Sequence, residues 1–248
     1  LYPCFGVPRL DSSNEESRLS NTESNTQTYT TDQEIFWSGE FGDQYIARND
    51  GVEYFASNVA FFTKVLEKAT AINSVIEFGP NVGLNLRALN FINPKTQLSA
   101  VEINANAVKT LKSIPEINPV YHGSLLNYSE DKLHDLSFTK GVLIHINPEK
   151  LPTAYSALYR SSRKYILIAE YFSPRPVEIN YRGHEKRLFK RDFAGEMMDL
   201  YPDLKLIDYG FLYRRDPSYS KRVSEFFDDT NWFLLEKQNP SSADSRAL

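Results

Sequence analysis

The stretch SVIEFGPNVGLNL, residues 74–86, constrains the chain more than any other. It begins with residues that suit a buried strand, and an acid, Glu77, follows them. Gly79, a Pro-Asn pair, Gly83 and a run of helix formers complete it. A strand that turns through glycines into a helix is the opening unit of a βαβ fold. The same alternation recurs downstream. QLSAVEIN reads as a strand and ANAVKTLKSI as a helix, with NPVYHG as a short strand after them. A strand near 136–139, a helix in PEKLPTAYSALYRSS with Pro148 in its first turn, and the buried strand KYILIAEYF continue the series. FKRDFAGEMMDLYP reads as a helix, and LKLIDYGFLYRR and NWFLLEKQ as strands with no helix pattern between them. Such alternation predicts an α/β, doubly wound sheet, mostly parallel, with an antiparallel pair at one edge.

Ahead of this series, EYFASNVAFFTKVLEKAT carries apolar residues at helical spacing, and DQEIFWSGEFGDQYIARND reads as short helical pieces broken by Gly39 and Gly42. Residues 12–31 are mostly Ser, Asn, Thr and Glu, with too little to bury to offset their ordering entropy. Residues 1–32 are therefore expected to be a flexible leader or a linker to a neighbouring domain, 33–238 a single folded domain, and 239–248 a polar tail.

The net charge of −4 over 248 residues gives no general pull toward nucleic acid or anionic membrane. No apolar run approaches the roughly 20 residues of a membrane-spanning helix. One cysteine, Cys4, excludes an internal disulfide and a cysteine zinc site, and a reduced cytoplasm is the simplest compartment. The four histidines, 122, 134, 145 and 184, show no close ligand spacing, so no metal is expected.

In a doubly wound sheet, ligands bind beyond the carboxyl ends of the strands where strand order reverses. The turn after residue 78 is the favoured place. A dinucleotide fingerprint needs glycines at 79, 81 and 84, but Asn81 and Leu84 stand at two of these. A carboxylate at 77 is also a poor neighbour for pyrophosphate and suits an amine. Glu102 lies 19 residues beyond Gly83, at the spacing of the acid that holds a ribose diol. A ligand with an amine end and a ribose satisfies both acids, and S-adenosylmethionine has both.

VIEFGPNVGLNL together with AVEIN resembles the cofactor motifs of class I S-adenosylmethionine-dependent methyltransferases. The longer words FWSGEFGDQYIARN, GVLIHINPEKL, NYRGHEKRLFKRDFAGEM and DYGFLYRRD resemble a narrower group, the pseudaminic acid biosynthesis-associated methylases. The resemblance spans roughly 33–236. It implies a Rossmann-like, seven-stranded sheet. It implies that Glu77, Gly79, Asn81 and Gly83 line the methionine end of the cofactor, that Glu102 holds the ribose, and that Ile103, Ser124 and Leu125 meet the adenine. Thr139, Lys140 and Gly141 would lie beside the sulfonium. Trp37, Tyr45 and Arg48 would close over the cofactor, with Arg48 paired to its carboxylate.

Methyl transfer from a sulfonium needs alignment above all, with a base where the acceptor is a hydroxyl. His145 follows the fourth core strand at the cofactor end and is the first candidate base. Basic residues concentrate in 175–191, read here as a loop, where Tyr181, Arg182, His184 and Arg187 form a candidate clamp for an anionic acceptor. His184 is the second candidate catalytic residue. The acceptor implied is a nonulosonic sugar or its nucleotide-activated form. An amino acid, a peptide or another carboxylate-bearing metabolite would suit the same clamp, and a non-catalytic domain on the same scaffold is the alternative outside enzymology.

Overall fold

The computed structural model describes residues 29–46 and 51–238. Two short helices, α1 (Asp32–Ser38) and α2 (Glu40–Ile46), precede α3 (Val52–Val65). Then follow β1 (Ser74–Phe78), α4 (Leu84–Ile92), β2 (Gln97–Glu102), α5 (Ala105–Lys112), β3 (Ile117–His122) and β4 (His134–Lys140). The second half comprises α6 (Leu151–Ser161), β5 (Ser162–Glu170), β6 (Val177–Tyr181), β7 (His184–Lys190), α7 (Phe193–Leu200), β8 (Leu204–Leu212), α8 (Lys221–Ser224) and β9 (Thr230–Lys237).

Seven of the strands form one sheet in the order β3-β2-β1-β4-β5-β9-β8. The first five run parallel. β9 runs against both neighbours, so the antiparallel pair expected at one edge is β8 with β9, and the reversed strand sits one place in from that edge. Strand order reverses between β1 and β4, which opens a crevice beyond their carboxyl ends.

Period-two alternation splits the core between the two faces. Ile76, Phe78, Ile166, Ile168 and Leu235 pack with α6 and α7. Val75, Leu136, Phe138, Leu167 and Leu234 pack with α3, α4 and α5. Both faces are covered, which is why β1 and most of β4 read as unbroken buried runs.

Two local expectations are corrected. Residues 177–190, read as a loop, are the two-stranded hairpin β6–β7. Tyr181 pairs with His184, and the Arg182-Gly183 turn between them has φ of 52° and 86°. Positive φ at both central residues is what a tight two-residue hairpin turn requires. Charged residues on both strands hid the alternation. The connection between β8 and β9, read without helix, contains the single turn of α8.

Candidate active site

A cavity of about 480 Å³ lies at the carboxyl ends of β1, β2, β4 and β5. Its first wall is the turn after β1. Gly79 has φ of 75° and donates to the Val101 carbonyl at 2.8 Å. A Cβ there would stand 2.6 Å from Val142, so only glycine lets the turn pass. Asn81, with φ of 50°, donates its N–H to Glu102 Oε2 at 2.8 Å. Gly83 begins α4 with φ of 81° and packs toward Leu111 and Ile117; it does not line the cavity.

The acids fall at strand ends. Glu102 closes β2, lines the cavity and accepts a second backbone N–H, from Asn104, on Oε1 at 2.8 Å. Burial raises its pKa against the pull of those N–H groups. Glu77 is fully buried behind Asn85, whose side-chain amide donates to Oε1 at 2.6 Å. Its Oε2 has no partner. Burial pushes Glu77 up to about 8, with Asn85 and Lys140 acting in the opposite direction. Glu77 therefore reaches the cavity through Asn85 and does not line it.

Ile103, Ser124 and Leu125 line the far wall. Ser124 Oγ accepts from Leu126 N–H at 3.1 Å and caps the short turn there. Tyr29 OH reaches the Ile103 carbonyl at 3.2 Å, so the described chain engages this wall before α1 begins. Glu34 in α1 also lines the cavity. Burial raises its pKa, but hydrogen bonds from Ser124, Thr30 and Thr31 outweigh burial and lower it. Gly141 and Lys140 line the floor, whereas Thr139 is fully buried beneath them. Trp37 and Tyr45 line the roof with ring centroids 5.2 Å apart. Arg48 lies outside the described residues.

His145 ends a short turn after β4, 9% exposed, between the rings of Trp37 (4.6 Å) and Tyr181 (4.9 Å). A carbonyl can only accept, so Nδ1–H donates to Arg187 O and Nε2 keeps its lone pair. Burial pushes the ring down to about 4, the carbonyl acting the other way. The imidazole is neutral at neutral pH.

The proposed clamp divides. Tyr181 and Arg182 line the cavity, the Arg182 guanidinium lying 5.6 Å from the Tyr181 ring centre. His184 is exposed and sits against Phe36 (5.0 Å) and Phe41 (5.7 Å). Arg187 stacks over Phe36 at 5.2 Å. Neither His184 nor Arg187 lines the cavity. Leu188 lines the cavity, and on a strand its neighbour Arg187 faces the other way, which a loop reading does not show.

Several lining residues escaped the sequence reading. Glu170 ends β5 and accepts from Val142 N–H at 3.0 Å and Leu143 N–H at 3.1 Å. Burial raises it to about 7 against those N–H groups and the Thr139 hydroxyl. Tyr171 donates to Asp228, and Glu225, Phe226 and Asp228 bring the segment before β9 into the wall. The signal for Glu170 was present. Like Glu77 and Glu102, it is an acid terminating an apolar strand.

Among the described residues around the cavity, buried polar atoms without partners include Trp37 Nε1, Asn81 Nδ2, Asn85 Oδ1 and Glu77 Oε2. Unmade hydrogen bonds at buried atoms are expensive, and their gathering beside a glycine cradle fits a polar ligand with amine and carboxylate groups. Among the described residues no group of three or more His, Cys, Asp or Glu is placed to hold a metal, and no helix is long and apolar enough to cross a membrane.

No family model matches the chain, and no curated protein matches it. Solved structures do. The 1,6-didemethyltoxoflavin-N1-methyltransferase of Burkholderia thailandensis superposes with a TM-score of 0.59 at 11% identity, over 84% of this chain and 87% of its own. The plantazolicin methyltransferase BpumL gives 0.56 at 11% identity, over 80% and 90%. An S-adenosylmethionine-dependent methyltransferase of Clostridium acetobutylicum gives 0.54 at 12% identity, over 80% and 97%. The chain thus has the fold of the class I S-adenosylmethionine-dependent methyltransferases.

Proposed function

We propose that the chain is an S-adenosylmethionine-dependent methyltransferase acting on a small acceptor. The observation that carries this is Glu102. Its two oxygens are fixed by Asn81 N–H and Asn104 N–H, so the carboxylate stands oriented in the cavity opposite the glycine turn. Ionised, it retains lone pairs for a ribose diol. The cofactor supplies, when bound, a methyl group made electrophilic by a sulfonium. Asn81, Asn85 and, behind them, Glu77 would receive its amino-acid end, and Ile103, Ser124 and Leu125 its base. Trp37 and Tyr45 would exclude water above it.

The acceptor enters at the other end of the cavity, where Tyr54, Tyr171, Tyr181 and Phe226 offer aromatic faces and hydroxyls. A nonulosonic sugar, free or nucleotide-linked, suits such a wall. Arg182 is the cation available to its carboxylate. An amino acid or peptide is the second reading, favoured by Glu170, Glu225 and Asp228 at the same end, which suit an amine. Calorimetry with S-adenosylmethionine and S-adenosylhomocysteine tests the first claim. Micromolar binding supports an enzyme, and failure of both to bind leaves a scaffold. Supplying methyl-labelled donor to a panel of nonulosonic acids, their nucleotide-linked forms, amino acids and peptides tests the second. Label in a peptide and in no sugar would overturn the sugar reading.

A further inference from the structure

Lys140 has no assigned role in binding, yet it occupies the centre of the site. It ends β4, between β1 and β5, at the point where strand order reverses. It lines the cavity floor, with Nζ 5.6 Å from the Phe61 ring centre on α3. Three acids act on it electrostatically: Glu77 of β1, Glu170 of β5 and Asp228 of the segment before β9. None of them makes an ion pair with it among the described residues. Burial is the dominant influence and lowers its pKa, the three acids opposing. Of the other bases lining the cavity, His145 is held neutral by burial and pinned through Nδ1, with little affinity for a proton, and both oxygens of Glu170 accept from the Val142, Leu143 and Ile144 N–H groups.

We propose that Lys140 is the proton acceptor of the transfer, a catalytic residue whose amine takes the proton that the acceptor's nucleophilic atom loses. This rests on the methyltransferase reading above. As the bond from that atom to the methyl carbon forms, the carbon–sulfur bond breaks and sulfur keeps the electron pair. The acceptor's proton passes to Nζ, and S-adenosylhomocysteine, methylated product and a protonated Lys140 result. The amine must be neutral when the donor is bound. A cationic sulfonium beside it enforces this, because two unshielded positive charges repel strongly at low dielectric. S-adenosylhomocysteine carries no such charge and makes no such demand.

That difference supplies a test without any acceptor. Affinities for S-adenosylmethionine and S-adenosylhomocysteine are measured by calorimetry from about pH 6 to about pH 10 on wild type and on Lys140→Met and Lys140→Arg. In wild type, the ratio favouring S-adenosylmethionine rises with pH by up to about tenfold per unit for each proton expelled. Glu77 and Glu170 contribute to that slope as well, and the lysine's share is read from wild type against both Lys140→Met and Lys140→Arg. Lys140→Met should show the shallower slope with its S-adenosylhomocysteine affinity unchanged. Lys140→Arg, permanently charged, should bind the sulfonium weakly at every pH. Superposable wild-type and Lys140→Met ratios would overturn the proposal. Failure of wild type to bind S-adenosylhomocysteine would instead sink the function on which it rests. With the panel member that takes up label, Lys140→Met should lower kcat by about 10²–10⁴-fold with KM kept. Wild-type turnover by that variant would also overturn it.

Discussion

Two buried acids on neighbouring strands, at opposite ends of one sheet, are treated in opposite ways. At the amino end, Asp135 opens β4 at 8% exposure and is fully engaged. It accepts from Asn73 N–H (2.9 Å), Ser74 N–H (3.1 Å), Ser74 Oγ (3.2 Å) and the Arg163 guanidinium (3.0 Å). At the carboxyl end of the neighbouring strand β1, Glu77 has one partner and an oxygen with none. Lys140 nearby has acids around it and no ion pair. The first arrangement fastens β1 to β4. The second leaves charge and hydrogen-bonding capacity unspent, which destabilises a fold and is useful only to a ligand.

The contrast can be broken by mutation. Asp135→Ala should cost about 2–4 kcal/mol of stability in urea denaturation, because it strands two backbone N–H groups, while S-adenosylhomocysteine affinity stays unchanged. A binding loss of similar size would show that the two ends are not separable. Glu102→Ala should act on binding first: calorimetry should show about a hundredfold loss of cofactor affinity, the scale of charge-assisted hydrogen bonds, and the denaturation midpoint should fall as well because the Asn81 and Asn104 N–H groups lose their acceptor. Gly79→Ala lies between them, since a residue with φ of 75° and a Cβ against Val142 should lose about 1–3 kcal/mol of stability and some binding together. A further test sharpens the comparison through pH. Glu77 titrates near 8 in the folded chain against 4.5 unperturbed. Between those values the unfolded chain gives up this proton and the folded one keeps it, so stability falls as pH rises. Glu77→Gln should flatten that fall between about pH 4.5 and about pH 8; an unchanged pH profile of the denaturation midpoint would show that Glu77 is not protonated there.

The sheet was legible because both its faces are buried. Continuous apolar runs such as residues 74–78 and 165–169 announce parallel strands, and glycine turns between them announce crossovers. The cavity wall at the β1 turn was legible for the same reason, since Gly79, Asn81 and Glu102 answer to backbone geometry at fixed spacing. The wall beyond β5 was less so. Tyr171, Glu225 and Asp228 come together only when β9 inserts beside β5, and no local spacing encodes that. The hairpin of β6 and β7 is exposed along most of its length, so it carries little of the hydrophobic alternation by which strands are read. Its turn, Arg182-Gly183, was quoted as part of a charged cluster when its conformational meaning was the stronger signal.

The reversed strand has a consequence for how the molecule is assembled. β9 is the last of the described strands, yet it sits inside the sheet with β5 on one side and β8 on the other. Until it arrives, both neighbours present open hydrogen-bonding edges. The same insertion delivers Asp228 and Thr230 to the cavity. During synthesis the cavity wall built on β1, β2 and β4 precedes the one carried in by β9, so a chain halted before that strand lacks the side formed by Asp228 and Thr230.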